Sequence, residues 1–75
     1  MKKIGLIAGG GQFPILFAQA ARKNGVEVVA VALEGETDKQ LEAEVDVCAW
    51  VSLGKLGRMI EIFENARVSE VAMAG

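Results

Sequence analysis

Three consecutive glycines between a short apolar segment and a proline are the feature that most constrains the fold of this chain. Residues 4–8 are apolar or small, Gly9, Gly10 and Gly11 follow, and Pro14 comes soon after. This order predicts a buried strand, a tight turn and a helix, because proline suits the first helical turn, where its missing N–H is not needed. Such glycines let backbone N–H groups approach a phosphate, which the positive end of the helix attracts. The stretch therefore indicates an anion-binding turn, although a tight connection can need glycine for its backbone angles alone.

The glycine spacing differs from the dinucleotide-binding fingerprint G-x-G-x-x-G. Gly9 and Gly11 would fill its first two glycine positions, but Pro14 stands where the third glycine allows helix and sheet to pack closely. Glu34 follows the second predicted strand, and it is farther from Gly9 than the roughly 20 residues typical of the acid that binds a ribose hydroxyl. A phosphate site is expected here, and a standard NAD site is disfavoured.

The rest of the chain repeats this alternation of strand and helix. Apolar segments at residues 26–33, 47–51 and 70–75 predict three further strands, and the unbroken apolar centres of the first two strands are typical of a parallel sheet covered on both faces. A period of 3.6 residues predicts two amphipathic helices between them. The residues expected to pack on the sheet are Phe13, Leu16, Phe17, Ala20 and Ala21 in the first helix, and Leu56, Met59, Ile60 and Phe63 in the second.

These elements predict an α/β fold, a Rossmann-like three-layer sandwich with a mostly parallel sheet of strand order 3-2-1-4. In a doubly wound protein a loop and helix would follow the fourth strand, so we expect residues 1–75 to be a truncated N-terminal domain of a longer, two-domain protein. Apolar residues make up 52% of the sequence, which is high for a small domain. We therefore expect a second domain or subunit to cover part of the surface.

Composition excludes several classes of function. The net charge of −2 argues against nucleic-acid binding, and the absence of histidine removes the commonest general base and zinc ligand. The single cysteine, Cys48, lies in an apolar run, which predicts a buried and unreactive thiol. Carboxylates, lysines and the backbone are left to carry any chemistry.

An acidic connection links the second and third predicted strands. It holds six acids and one base, Lys39, and the pair Thr37 and Gln40 is expected to cap a short helical turn in it. A metal site is conceivable there, but the acids follow no fixed ligand spacing, which favours a solvated connection. The six acids are Glu34, Glu36, Asp38, Glu42, Glu44 and Asp46.

A second glycine-rich turn follows the third predicted strand. Gly54 and Lys55 would lie at a strand's carboxyl end, on the same edge of the sheet as the three glycines, where Lys55 can meet an anion. An ordinary surface lysine is the alternative. In the strand itself, we expect Trp50 to pack in the core or an interface rather than stack on a base.

Four segments together resemble the N-terminal domain of LpxI-type UDP-2,3-diacylglucosamine pyrophosphatases. They are IGLIAGGGQFP at residues 4–14, ALEG at residues 32–35, LGKLG at residues 53–57 and VAMAG at residues 71–75. Each segment is short, but their order and spacing across the chain make the resemblance fairly specific.

The resemblance implies a metal-assisted hydrolysis of UDP-2,3-diacylglucosamine to UMP and 2,3-diacylglucosamine 1-phosphate in lipid A biosynthesis. It implies Mg²⁺ as the ion and a catalytic acid in a C-terminal domain outside residues 1–75, so we assign no catalytic or metal-binding residue to this chain. The resemblance implies two partners, the UDP-linked lipid and the protein's own C-terminal domain. Contact with the membrane surface and homo-oligomerisation are compatible with the resemblance. The residues assigned to substrate binding are Gly9, Gly10, Gly11, Gln12, Gly54, Lys55 and Gly75.

Two other classes of function stay open at this point. One is a non-catalytic, Rossmann-like nucleotide-binding or regulatory module, and the other is a structural interaction domain. We expect a cytoplasmic protein, at the inner face of the inner membrane if the resemblance holds. No segment reaches the roughly 18 apolar residues that span a membrane, and the glycines with Gln12 and Pro14 interrupt what would be a signal peptide.

Overall fold

Strands and helices alternate along the chain in the computed structural model, which describes residues 2–75. In chain order they are β1 (Lys3–Ala8), α1 (Phe13–Lys23), β2 (Glu27–Leu33), a 3-10 helix (Lys39–Glu44), β3 (Val47–Val51), α2 (Leu56–Ala66) and β4 (Glu70–Ala74). The predicted strands are all present, within about one residue of their expected bounds.

The strands form one parallel sheet of order β3-β2-β1-β4, as the sequence predicted. In its register, Gly5 of β1 lies beside Val29 of β2 and Val71 of β4. Since β1 has a neighbour on each side and apolar layers above and below, its apolar centre is unbroken rather than alternating.

One face of the sheet packs against α1 and the 3-10 helix. Leu6 of β1, Ala18 of α1 and Leu41 of the 3-10 helix have no exposed surface and belong to one apolar cluster. The small side chain of Ala18 lets the helix approach the strands closely. This cluster is the larger of the two core layers.

The opposite face packs against α2. Val29 and Val31 of β2 form the second cluster with Val51 of β3 and Phe63 of α2. The Lys3 ammonium also donates a hydrogen bond of 2.9 Å to the carbonyl oxygen of Ala66, at the carboxyl end of α2. The three layers of the predicted α/β sandwich are therefore confirmed.

The face that α1 turns to the sheet differs from the prediction. Phe13 and Leu16 were expected in the core, but they are 60% and 57% exposed, and Ala20 is exposed as well. The buried residues of α1 are Pro14, Ile15 and Ala18, with Phe17 and Ala21 partly buried as predicted. The reason is that α1 packs on the 3-10 helix as well as on the sheet, and this second neighbour draws residues 15 and 18 inward.

The packing face of α2 was predicted half correctly. Phe63 is buried and Met59 packs beside it, but Leu56 and Ile60 are 61% and 50% exposed. Ile62, Ala66 and Val68 complete the contact instead. No helix among residues 2–75 combines the length and apolar character that crossing a membrane requires.

Candidate functional site

The carboxyl ends of all four strands lie on one edge of the sheet, since every neighbouring pair is parallel. The chain leaves β1 towards β2 on one side, whereas β4 lies on the other side. The order of the strands therefore reverses beside the end of β1, at Ala8 and Gly9. Open α/β sheets bind ligands at such a point, outside the carboxyl ends of the strands.

Gly9 and Gly75 bring the ends of β1 and β4 into close contact. The Gly9 N–H donates a hydrogen bond of 2.8 Å to the carbonyl oxygen of Ala74. A Cβ atom on Gly9 would overlap the Gly75 carbonyl, and a Cβ atom on Gly75 would lie 2.8 Å from the Gly10 carbonyl oxygen. Gly75 also has a φ of +98°. Side chains are excluded here, and backbone alone forms this part of the edge.

Gly10, Gly11 and Gln12 form an exposed turn between this contact and α1. Gly11 has a φ of +78°, and the Gln12 carbonyl accepts the first hydrogen bond of α1, from Leu16 at 3.0 Å. Within residues 2–75, no hydrogen bond uses the N–H groups of Gly10, Gly11 or Gln12. These donors stand at the positive end of α1, which is the arrangement that binds an anion.

Gly54 and Lys55 lie at the same edge of the sheet but two strands away. Gly54 has a φ of +88° in the turn after β3, and Lys55 precedes α2 with its carbonyl accepting hydrogen bonds from Arg58 and Met59. Because β2 separates β3 from β1, the two turns are roughly 10 Å apart at the usual strand spacing. The structure thus groups Gly9, Gly10 and Gly75, keeps Gly11 and Gln12 next to them, and leaves Gly54 and Lys55 at a distance.

The turn after β2 also belongs to this edge, and Thr37 joins it to β1 through a hydrogen bond that the sequence did not reveal. The buried hydroxyl of Thr37 donates a hydrogen bond of 2.7 Å to the Ala8 carbonyl oxygen and accepts one of 2.8 Å from the Leu33 N–H. Thr37 was predicted to cap the following helical turn, and this was wrong because its hydroxyl is used between strands. Asp38 is the cap, accepting a hydrogen bond of 2.8 Å from the Gln40 N–H.

An open groove of about 440 Å³ lies beside this turn. Trp50 contributes its ring from β3, and its indole N–H donates a hydrogen bond of 2.5 Å to the Glu42 carboxylate. Glu34 accepts a hydrogen bond of 2.9 Å from the Ser52 hydroxyl. We call this surface the Trp50 groove, and it is lined by Glu34, Gly35, Thr37, Lys39, Glu42 and Trp50. Of these six residues, the sequence analysis had considered only Glu34 and Trp50 as contacts for a nucleoside.

Cys48 lies on β3 beneath the 3-10 helix, partly buried. Burial, and secondarily the negative charge of Glu42, raise the pKa of the Cys48 thiol above its ordinary value. The thiol is therefore protonated and weakly nucleophilic at neutral pH, although Cys48 is less buried than predicted. Among residues 2–75, no three acids or cysteines lie close enough together to hold a metal ion.

Residues 3–75 match a family model described as the LpxI N-terminal domain. No curated protein matches the chain significantly. The matched segment includes both glycine turns and all four strands, so the family match confirms the resemblance found in the sequence.

Proposed function

The chain belongs to the family of LpxI N-terminal domains, and from that premise we propose that it is the substrate-binding part of a UDP-2,3-diacylglucosamine diphosphatase. The family is linked to lipid A biosynthesis. In the proposed reaction, water cleaves the pyrophosphate of the substrate to give UMP and 2,3-diacylglucosamine 1-phosphate. The proposed location is the cytoplasm, at the inner face of the inner membrane.

The observation that carries this proposal is the exposed turn at Gly10, Gly11 and Gln12. Its N–H groups are not used by other residues of the described chain, and they lie at the positive end of α1 where the strand order reverses. A pyrophosphate is a compact anion with many acceptor oxygens, which such donors bind through charge-assisted hydrogen bonds. Gly9 and Gly75 hold the ends of β1 and β4 together beside this turn, because a Cβ atom on either residue would clash with the backbone at the end of the other strand.

Gly54 and Lys55 are proposed to contact a different part of the substrate. The turn lies on the same edge of the sheet but two strands from the glycine turn, so it cannot hold the same phosphate oxygens as Gly10 and Gly11. Lys55 is exposed and precedes the positive end of α2. Its ammonium group would add positive charge along the path of a long, negatively charged ligand.

The chemical step is proposed to depend on a second domain of the same protein. The carboxylates of residues 2–75 form no cluster suited to Mg²⁺, so the residues described do not fit the ion, and we assign its ligands and the catalytic acid elsewhere. Exposed apolar side chains support a covering domain, since a small protein rarely exposes so many. Most of them lie on α1, α2 and β4, namely Phe13, Leu16, Leu56, Ile60, Val71 and Met73.

The test is a substitution at Gly10 in the complete protein, with hydrolysis of UDP-2,3-diacylglucosamine and folding stability measured together. A Cβ atom at Gly10 would lie 3.1 Å from the Glu36 carbonyl oxygen, so alanine needs only a small adjustment, whereas valine fills the turn. We expect Gly10→Val to lose most activity while remaining folded, Gly10→Ala to lose less, and residues 1–75 alone to hydrolyse nothing. A folded Gly10→Val enzyme with full activity would overturn the proposal.

A titration separates this function from the nucleotide-binding alternative. UDP-sugars should bind the chain, and NAD should bind much more weakly, because Pro14 replaces the third glycine of the dinucleotide fingerprint. Tight binding of NAD without hydrolysis by the complete protein would favour a regulatory module instead.

A further inference from the structure

The side chain of Thr37 is the one buried polar side chain among residues 2–75. Its hydroxyl donates a hydrogen bond of 2.7 Å to the Ala8 carbonyl oxygen and accepts one of 2.8 Å from the Leu33 N–H. The turn that carries Thr37 is closed by the backbone, since the Leu33 carbonyl oxygen accepts hydrogen bonds of 3.0 Å from the N–H groups of Glu36 and Thr37. The hydroxyl is therefore fixed in direction, and it joins the end of β1 to the end of β2.

The Ala8 carbonyl belongs to the peptide group through which the chain enters the glycine turn. The N–H of the same peptide group is that of Gly9, which donates a hydrogen bond of 2.8 Å to the Ala74 carbonyl oxygen. Because a peptide group is planar, hydrogen bonds on its two sides determine its orientation. The bond to β4 is made by backbone alone, whereas the bond on the other side depends on the side chain of Thr37. A substitution at Thr37 can therefore release this peptide group.

The glycine turn itself has few contacts that could fix its shape. Gly10, Gly11 and Gln12 are exposed, and glycine allows the backbone a wide choice of angles. The turn after β2 meets it a second time, because the Glu36 carbonyl oxygen lies 3.1 Å from the position that a Cβ atom of Gly10 would take. The residues next to Thr37 thus border the turn as well, and the direction of its free N–H groups depends on them.

We propose that Thr37 is a positioning residue for the anion-binding turn. Its hydroxyl fixes the peptide group between Ala8 and Gly9, and so holds the N–H groups of Gly10 and Gly11 in the direction that binds a diphosphate. This inference rests on the proposed function for the ligand, and Thr37 acts on that ligand through the turn rather than by touching it. Donors that are already held in place reduce the entropy that binding costs, so loss of the hydroxyl weakens binding even in a folded protein.

Two substitutions at Thr37 test the role of the hydroxyl. Thr37→Val replaces the hydroxyl with a methyl group of similar size, and Thr37→Ser keeps the hydroxyl. Calorimetry measures the affinity of the complete protein for inorganic pyrophosphate. We expect Thr37→Val to weaken binding roughly two- to tenfold, the equivalent of one neutral hydrogen bond, and Thr37→Ser to keep most of the affinity.

A third variant covers the case in which Thr37→Val does not fold. Thr37→Ala also lacks the hydroxyl, but it places no methyl group against the Ala8 carbonyl oxygen, and it should weaken pyrophosphate binding in the same direction. Circular dichroism and urea unfolding show which variants are folded under the conditions of the titration. A purely structural role would lower the free energy of unfolding and leave the affinity of the folded protein unchanged.

Hydrogen exchange at the Gly9 N–H reports on the peptide group without any ligand. In the free protein, NMR should show faster exchange at Gly9 in Thr37→Val than in the unmodified protein, relative to the amide of buried Ala30 in β2. The amide resonances of Gly10 and Gly11 should shift in the same variant. Thr37→Ser should resemble the unmodified protein in both measurements.

Ser69→Ala is the matched control. The Ser69 hydroxyl also donates a hydrogen bond to a carbonyl oxygen of β1, that of Lys3 at 3.0 Å, but at the opposite edge of the sheet. Its loss should change neither the exchange at Gly9 nor the affinity for pyrophosphate.

The outcomes separate this inference from the proposed function. Equal pyrophosphate affinities in the unmodified protein and the folded hydroxyl-free variants would overturn the role of Thr37 and leave the phosphate turn standing. Equal losses in Thr37→Ser and Thr37→Val would also overturn it, as would weaker binding with no change at Gly9. Failure of the unmodified protein to bind pyrophosphate would overturn both the inference and the phosphate turn.

Discussion

The ring of Phe63 in α2 lies so close to Gly5 in β1 that a methyl group at residue 5 would be 2.6 Å from its Cδ1 atom. Gly5 is buried in the middle of a strand, where glycine ordinarily weakens a sheet. Here the missing side chain makes room for the ring. This contact sets how closely α2 approaches the sheet.

Gly5→Ala should therefore destabilise the protein, by about 1–3 kcal/mol, the usual cost of overpacking a core. Urea unfolding measures the change. Gly57→Ala is the matched control, because a methyl group there meets no atom within 4 Å and alanine favours the helix, so we expect a gain of roughly 0.5–1 kcal/mol. If Gly5→Ala were as stable as the original protein, the Phe63 contact would be looser than the structure has it.

Two neighbouring positions on α1 should respond very differently to truncation. Ile15 is buried, so Ile15→Ala should cost about 2–5 kcal/mol, whereas Phe13 is 60% exposed and Phe13→Ala should cost less than about 1 kcal/mol. Thermal or urea unfolding of the isolated chain compares them. In the complete protein the loss at Phe13 should grow if a second domain covers α1, and an equal loss in both contexts would argue against that cover.

The sheet could be predicted from the sequence because its signals are local and repeated. The nearly continuous apolar runs of β1 and β2, each followed by a turn and a helix, are typical of parallel strands, and right-handed crossovers leave few strand orders. The glycine turn was predicted for a similar reason: Gly9 to Gly11 have few other uses beside a strand and a helix. Strand order then placed that turn at the reversal point without any further information.

The helix faces and the Trp50 groove could not be predicted because distant residues decide them. Helix α1 is apolar over more than one face, and Leu41 of the 3-10 helix, more than 20 residues farther along the chain, selects Ile15 and Ala18 for the core. Thr37 looked like a helix cap because Gln40 follows at the right spacing, yet its hydroxyl bonds to Ala8, 29 residues away. The spacing of neighbouring residues along the chain gives no information about such distant partners.

The pKa of Cys48 gives a prediction with a definite sign. Burial raises the thiol's pKa in the folded state, so the neutral thiol contributes stability that is fully present below the unfolded-state pKa and is lost as pH rises through the folded-state value. Unfolding free energy should fall in the alkaline range, and Cys48→Ala should reduce that fall. Alkylation rates should show a higher pH midpoint for folded than for urea-unfolded protein. Identical midpoints would mean that the fold does not hold the thiol neutral.

Lys55 offers the sharpest test of charge at the edge of the sheet. If its ammonium group contacts the substrate in the complete enzyme, Lys55→Met should lower kcat/KM by roughly ten- to a hundredfold, since a hydrogen bond to a charged group is worth about 1.5–3 kcal/mol. Lys23→Met is the matched control, because it changes the net charge by the same amount at a different place. Lys23 is the last residue of α1 and so lies towards the opposite edge of the sheet.

The comparison of the two lysine variants separates a direct contact from general attraction. A general effect of charge should lower kcat/KM similarly in Lys55→Met and Lys23→Met and should fade in high salt, because screening weakens attraction between exposed charges. A direct contact should affect Lys55→Met alone and should be partly restored by Lys55→Arg, which keeps the charge. Full activity in Lys55→Met would remove this turn from the binding edge and leave the glycine turn at Gly9 to Gly11 to hold the diphosphate by itself.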